Sequence, residues 1–176
     1  MTQFTLGGGC FWCIDAVMRR LKGVTEVVSG YSGGEKPNPT YEEVSTGTTG
    51  YAETVRVTFD ETIIPANTLL DIFFLIHDPT TPNRQGNDIG PQYRSIMFYV
   101  EDAQKRLFEA AIERATSHWG DGIVTELQPL KTFYPAEDYH QDYFNKNPDA
   151  GYCQIIISPK IVKARGAYSE WFKEDV

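Results

Sequence analysis

The sequence predicts an α+β fold, with helices packed on a mixed or antiparallel sheet. Two observations carry this. Segments of two-residue apolar alternation and segments of 3.6-residue period follow one another as β-α-β-β-α-β-α-β-α, whose middle holds the split β-α-β-β-α-β (ferredoxin-like) pattern. The chain has 176 residues, 41% of them hydrophobic and 13% aromatic. That suits one domain over residues 1–176 with one core, able to bury about two-thirds of its unfolded surface without staples.

The elements are read in order. Residues 3–8 (QFTLGG) form a short strand stopped by glycine. Residues 10–21 place Ile14, Val17, Met18 and Leu21 at helical spacing. Residues 24–34 are β-branched and glycine-stopped, hence a strand. Over 53–60, Val55, Val57 and Phe59 alternate with polar neighbours, which predicts a half-buried strand. Pro65 opens a helix over 65–77. Residues 93–100 are a strand, and 101–119 the longest helix, with Leu107, Ala110, Ala111 and Ile112 inward. A strand over 123–130 and a shorter helix over 137–147 follow. The end, AYSEWFKE, reads as a last helix; no role is legible for the tail beyond about residue 158. Between helix 65–77 and strand 93–100 lies DPTTPNRQGNDIGPQ, a long polar loop of the kind that often carries function.

The net charge of −8 and a pI near 4.9 argue against a nucleic acid or an anionic membrane as partner. Asp71 interrupts the longest apolar run, and the first residues have no signal-peptide pattern. A cytoplasmic, monomeric protein is the expectation. There thiols stay reduced, so three cysteines point to catalysis, redox chemistry or metal binding rather than a disulfide scaffold.

GGGCFWCIDAVMRRL, residues 7–21, concentrates the chemistry. Cys10 stands where strand gives way to helix. Backbone N–H groups there stabilise a thiolate, lower its pKa and make it a nucleophile. The glycines permit close approach of a substrate. Cys13 follows one turn later on the same face. Phe11 and Trp12 suggest an apolar pocket beside the nucleophile. Other readings of these thiols are a small buried hydrophobe, a C-x-x-C redox pair, or a zinc site from Cys10, Cys13, Cys153 and His140. The zinc set lacks the two closely spaced pairs of strong sites. His140 reads as the polar face of its short helix, and His77 as a cation at a helix C-terminus.

GGGCFWCIDAVMRRLKGV, SGYSGG, TGYAETVRVTFD, HDPTTPNRQGNDIGPQYRS and HQDYFNKNP together resemble the A-type peptide methionine sulfoxide reductases. The resemblance implies a two-layer sandwich. It also implies reduction of the S epimer of methionine sulfoxide, free or in proteins, with no metal or cofactor. By the same resemblance Cys10 is the nucleophile, and Phe11 and Trp12 receive the sulfoxide methyl group. Glu53 is the acid, and Tyr31, Asp88 and Tyr93 form the polar wall for the sulfoxide oxygen. The family commonly has His-Ala-Glu where this chain has Tyr51-Ala52-Glu53, a change expected to bear on access or on the setting of the acid.

The chemistry asks for these groups. A sulfoxide oxygen leaves only when protonated, so the acid needs a pKa raised by burial. Attack leaves Cys10 as a sulfenic acid, which a second thiol converts to a disulfide. An external dithiol, usually thioredoxin in this family, then reduces it. The resolving thiol is left open. Cys13 is favoured for its small loop-closure cost, Cys153 holds the region where many relatives carry a recycling cysteine, and a relay through both is the third route.

Overall fold

The computed structural model describes residues 1–174. Its strands are β1 (Thr2–Gly7), β2 (Val24–Ser32), β3 (Ala52–Phe59), β4 (Arg84–Gln85), β5 (Asp88–Ile89), β6 (Ile96–Tyr99), β7 (Glu126–Pro129) and β8 (Phe133–Pro135). The helices are α1 (Phe11–Met18), α2 (Tyr41–Ser45), α3 (Ala66–Leu75), α4 (Asp102–Trp119), α5 (Tyr143–Lys146) and α6 (Ser158–Ala167).

Six strands form one sheet in the order β7-β6-β1-β3-β2-β8. Every neighbouring pair is antiparallel except β6 and β7, so the sheet is mixed, as expected. β1 lies between β3 and β6 because α1 and α3 cross over, leaving β3 to fill the space between β1 and β2. α1 packs on β2 and β3 and is itself covered by α5 and α6, while α4 packs on α3 and β6. No described helix is long and apolar enough to cross a membrane.

β3 is more deeply buried than its alternation suggests. Val55, Val57 and Phe59 are fully buried, and so are Ala52, Glu53 and Thr54; on the other face Ala52 packs with Ile96, Phe98 and Leu130. α4 turns Gln104, Phe108, Ala111 and Ala115 inward. Ala110, expected inward, is exposed, since the helix contacts its neighbours along a narrower stripe. Leu107 and Ile112 are partly buried against the core.

Other expectations are corrected. The single helix over 137–147 is instead a 3-10 turn, Asp138–His140, and the short α5. Asp142 breaks it by adopting φ 53 in the left-handed region. The long loop holds the two-stranded β4–β5 hairpin and a 3-10 turn, Pro91–Tyr93. Cys153, weighed as a strand residue before three isoleucines, lies on a π-helical turn, Cys153–Ile157, that runs straight into α6. The last segment makes only a 3-10 turn, Ser169–Trp171, and Phe172 then bridges to Leu21. His77 is no helix-end cation. Its Nδ1 donates to the Phe73 carbonyl at 2.6 Å and its Nε2 accepts from Ser95 Oγ at 2.8 Å. Burial pushes its pKa down to about 4, so it is neutral.

The glycines before Cys10 admit protein rather than leaving room for a substrate. Gly9 has φ +92, and a Cβ there would lie 2.6 Å from Gln85 Cγ. Gln85 is fixed by two bonds to the Asp78 backbone, each 2.9 Å. Gly9→Ala is expected to cost about 1–2 kcal/mol from the left-handed backbone alone, with the clash in addition. A urea titration should show a lowered midpoint at unchanged slope.

Candidate active site

Cys10 sits at the end of the β1–α1 junction as the N-cap of α1, 8% exposed. The next residue ties the junction to the sheet: the Phe11 N–H donates to Glu53 Oε1 at 3.1 Å. Glu53 stands on β3 directly across from Tyr31 on β2. It shares the inward parity of Val55, Val57 and Phe59, and is 1% exposed. Burial dominates its titration and pushes its pKa up to about 8, with Asp88 and Cys13 adding and the Phe11 N–H opposing. At neutral pH Glu53 therefore keeps its proton.

The thiols depart from the helix-start expectation. Burial pushes Cys10 well up, and its hydrogen bond to Cys13 and the nearby Glu53 act in the same direction. Only a backbone bond from Trp12 opposes them. Cys13 is brought down to about 7, chiefly by the Cys10 side chain, against its own burial. Lys160 and the Tyr152 hydroxyl help. The resting proton of the pair thus lies on Cys10, and Cys13 is the more acidic sulfur.

A cleft of about 300 Å³ opens at Cys10. One wall is Gln85, Gly86, Asn87 and Asp88, and the other Tyr152, Ile155, Ile156, Pro159 and Lys160. The tail that had no legible role thus supplies Pro159 and Lys160 to the cleft. The Tyr152 hydroxyl donates to Asp88 Oδ2 at 2.8 Å and lies 3.7 Å from Cys13 Sγ.

The expected polar wall is only partly available. The Tyr31 hydroxyl is committed to Glu137 Oε1 at 2.9 Å, and Glu137 Oε2 takes the Tyr41 N–H at 2.9 Å. Tyr93 is half-buried; burial and Glu53 push its phenol up, so it stays a donor. Tyr41, Glu137 and Tyr152 were not found from sequence. Tyr41 is near enough to Glu53 and Cys10 for both to raise its pKa, after burial.

Phe11 and Trp12 belong to an aromatic cluster. Phe11 is fully buried, with its ring 5.7 Å from Tyr31 and 5.1 Å from His140. Trp12 is partly buried; it stacks on Tyr143 at 3.7 Å and 6°, and its Nε1–H donates to His140 Nδ1 at 3.1 Å. His140 is fully buried there, not on a polar face. Tyr51, in place of the usual His, turns its hydroxyl to the Lys36 carbonyl and its ring to Gly34 and Tyr134. Glu53 is held instead by the Phe11 N–H.

Cys153 is fully buried, and burial followed by Cys13 raises its pKa. All three cysteines are unpaired. Among the described residues no group of three or more His, Cys, Asp or Glu is placed to hold a metal, so the four residues weighed for zinc are not gathered.

The family model described as peptide methionine sulfoxide reductase matches residues 2–171. The peptide methionine sulfoxide reductase MsrA of Pseudarthrobacter chlorophenolicus is 60% identical over 171 residues, 97% of this chain and 98% of that one. The solved structure of reduced Mxr1 from Saccharomyces cerevisiae superposes with a TM-score of 0.80 at 39% identity, covering 86% of this chain and 88% of that one. Mxr1 in complex with Trx2 superposes with a TM-score of 0.57 at 29% identity, covering 81% and 84%. With a buried acid beside a thiol pair, and matches along nearly the whole chain, this protein belongs to the peptide methionine sulfoxide reductases and reduces methionine sulfoxide.

Proposed function

We propose that Cys10 attacks the sulfur of the S epimer of methionine sulfoxide while Glu53 protonates its oxygen. The observation that carries this is the protonated, buried Glu53 carboxyl, bonded to the backbone N–H of the residue after Cys10. A carboxylic acid that keeps its proton at neutral pH is what a sulfoxide oxygen needs to leave. Tyr93 and Asp88 would complete the oxygen's surroundings. Tyr31 acts differently from the family expectation: it positions the wall through Glu137. Phe11 and Trp12 supply the apolar side that takes the methyl group.

The step balances. Cys10–SH and the sulfoxide give Cys10–SOH and the thioether; substrate sulfur is reduced by two electrons and Cys10 oxidised by two. The Cys10 thiol proton passes towards Cys13, the sulfur to which it is hydrogen-bonded. Cys13 then attacks the sulfenic acid, forming the Cys10–Cys13 disulfide and releasing water. Its position one helical turn away requires only that the first turn of α1 loosen to disulfide range. Cys153, close enough to Cys13 to feel its charge, takes the bond onward in a relay. Thioredoxin is the reductant this reading assigns, supported by the Mxr1–Trx2 complex. The acidic surface and three unpaired thiols fit a monomer in the cytoplasm.

A single-turnover assay tests this, with separated S and R sulfoxides and no reductant. About one methionine per enzyme from the S epimer only is expected. Turnover of both epimers alike would overturn the assignment. Free-thiol counts in Cys13→Ser and Cys153→Ser identify the resolver: Cys13→Ser is expected to stop at the sulfenic acid, and Cys153→Ser at the Cys10–Cys13 disulfide.

A further inference from the structure

Among the described residues, the Tyr152 hydroxyl meets two competing atoms. It donates to Asp88 Oδ2 at 2.8 Å and lies 3.7 Å from Cys13 Sγ. A phenol has one proton to give. While that proton points to Asp88, Tyr152 meets Cys13 only as an acceptor from the S–H. When it turns to Cys13, it donates to a thiolate and Asp88 loses its partner. The ring itself is fixed, edge-on to Trp12 at 5.9 Å between centroids, so the hydroxyl proton can rotate without moving the helix.

We propose that Tyr152 is a positioning residue for the resolving step, passing its hydrogen bond from Asp88 to Cys13 as the sulfenic acid forms. This rests on Cys13 being the resolver. The O–H of the sulfenic acid on Cys10, which lines the same cleft as Asp88, takes over as donor to that carboxylate, frees the Tyr152 proton, and so favours the Cys13 thiolate where Cys10 has been oxidised. The resting bond ties the hairpin at Asp88 to the segment carrying Tyr152, beside Cys13. The attack is Cys13–S⁻ on the sulfenic sulfur of Cys10; the S–S bond forms, the S–O bond breaks, and hydroxide leaves as water with the proton Cys13 released. No other oxidant or reductant enters.

The groups that face Cys13 are Cys10 and Glu53 from the junction and β3, Asp88 from the hairpin, and Tyr152, Cys153 and Lys160 from the C-terminal helix. Lys160 favours the thiolate, and Asp88 disfavours it. Tyr152 is a neutral donor between them, and Tyr152→Phe removes that donor while keeping the ring on Trp12.

The test follows one turnover with the S sulfoxide as a function of pH, by acid quench, alkylation and mass analysis. Methionine formed and Cys10–Cys13 disulfide formed are counted separately. In the wild type, disulfide formation should rise through pH of about 7, where Cys13 titrates. In Tyr152→Phe the midpoint should move up by about one pH unit, and the disulfide rate at pH 7 should fall several-fold relative to methionine formation. A rate lowered equally at every pH, with its midpoint in place, would show a packing role only and overturn the proposal, as would superimposed profiles. The reading beneath it fails separately: if Cys10→Ser still forms methionine, Cys10 is not the nucleophile. If Cys13→Ser forms its disulfide as fast as wild type, Cys13 is not the resolver.

Discussion

Cys10→Ser is expected to form no measurable methionine from either sulfoxide epimer, while unfolding at the wild-type midpoint. Serine fits the 8% exposed N-cap position and its hydroxyl still donates towards Cys13. It cannot become the sulfur nucleophile or hold a sulfenic acid. Removing a covalent nucleophile costs on the order of 10⁶-fold in rate where its neighbours depend on it. The check is methionine counted per enzyme, beside a thermal melt. Methionine release at even a hundredth of the wild-type rate would place the attack on another sulfur.

Glu53→Gln has the second-largest effect. The amide keeps an oxygen for the Phe11 N–H but has no acidic proton. Loss of a general acid lowers rate by about 10²–10⁴-fold, so methionine formation should fall by that factor. In wild type it should fall as pH rises through about 8, where Glu53 deprotonates, and in Glu53→Gln that limb should be missing. Stability moves the other way. The folded-state pKa is raised, from an ordinary 4.5 to about 8, so the stability tied to the protonated form is full below the unfolded value. It is lost as pH rises towards the folded one. Glutamine carries no such loss. Glu53→Gln should therefore melt higher than wild type at pH 8, by up to about 4 kcal/mol, with the gap closing near pH 5. An equal or lower melting temperature at pH 8 would show that the fold does not raise the Glu53 pKa.

Cys10 was legible because local rules place it, and Glu53 because the resemblance singles it out. Glu53 shares the parity of Val55, Val57 and Phe59, so one alternation turns all four inward. Cys10 follows a glycine-stopped strand and precedes a 3.6-period run. What was missed comes from far along the chain. Tyr152 reaches Asp88 across 64 positions, and Glu137 takes the Tyr31 hydroxyl across 106. No periodicity encodes such pairs. The helix over 137–147 failed because one left-handed residue, Asp142, outweighs a favourable run. The helix-start rule for thiol acidity failed at Cys10 because burial beside Glu53 and Cys13 is the stronger effect.

β3 has a neighbouring strand on each side, and Glu53 stands near its start. Local opening spares strands paired on both edges and begins in short, weakly anchored pieces. Amide protons along β3 should accordingly be among the last to exchange with solvent. Those of the π-helical turn and of the hairpin facing it across the cleft should exchange early. The two sides of the reaction then run on different clocks. Glu53, the proton donor we propose, should keep its place through many turnovers, while the segments around the cleft open and re-form often enough to let a bulky oxidised chain in and the repaired one out.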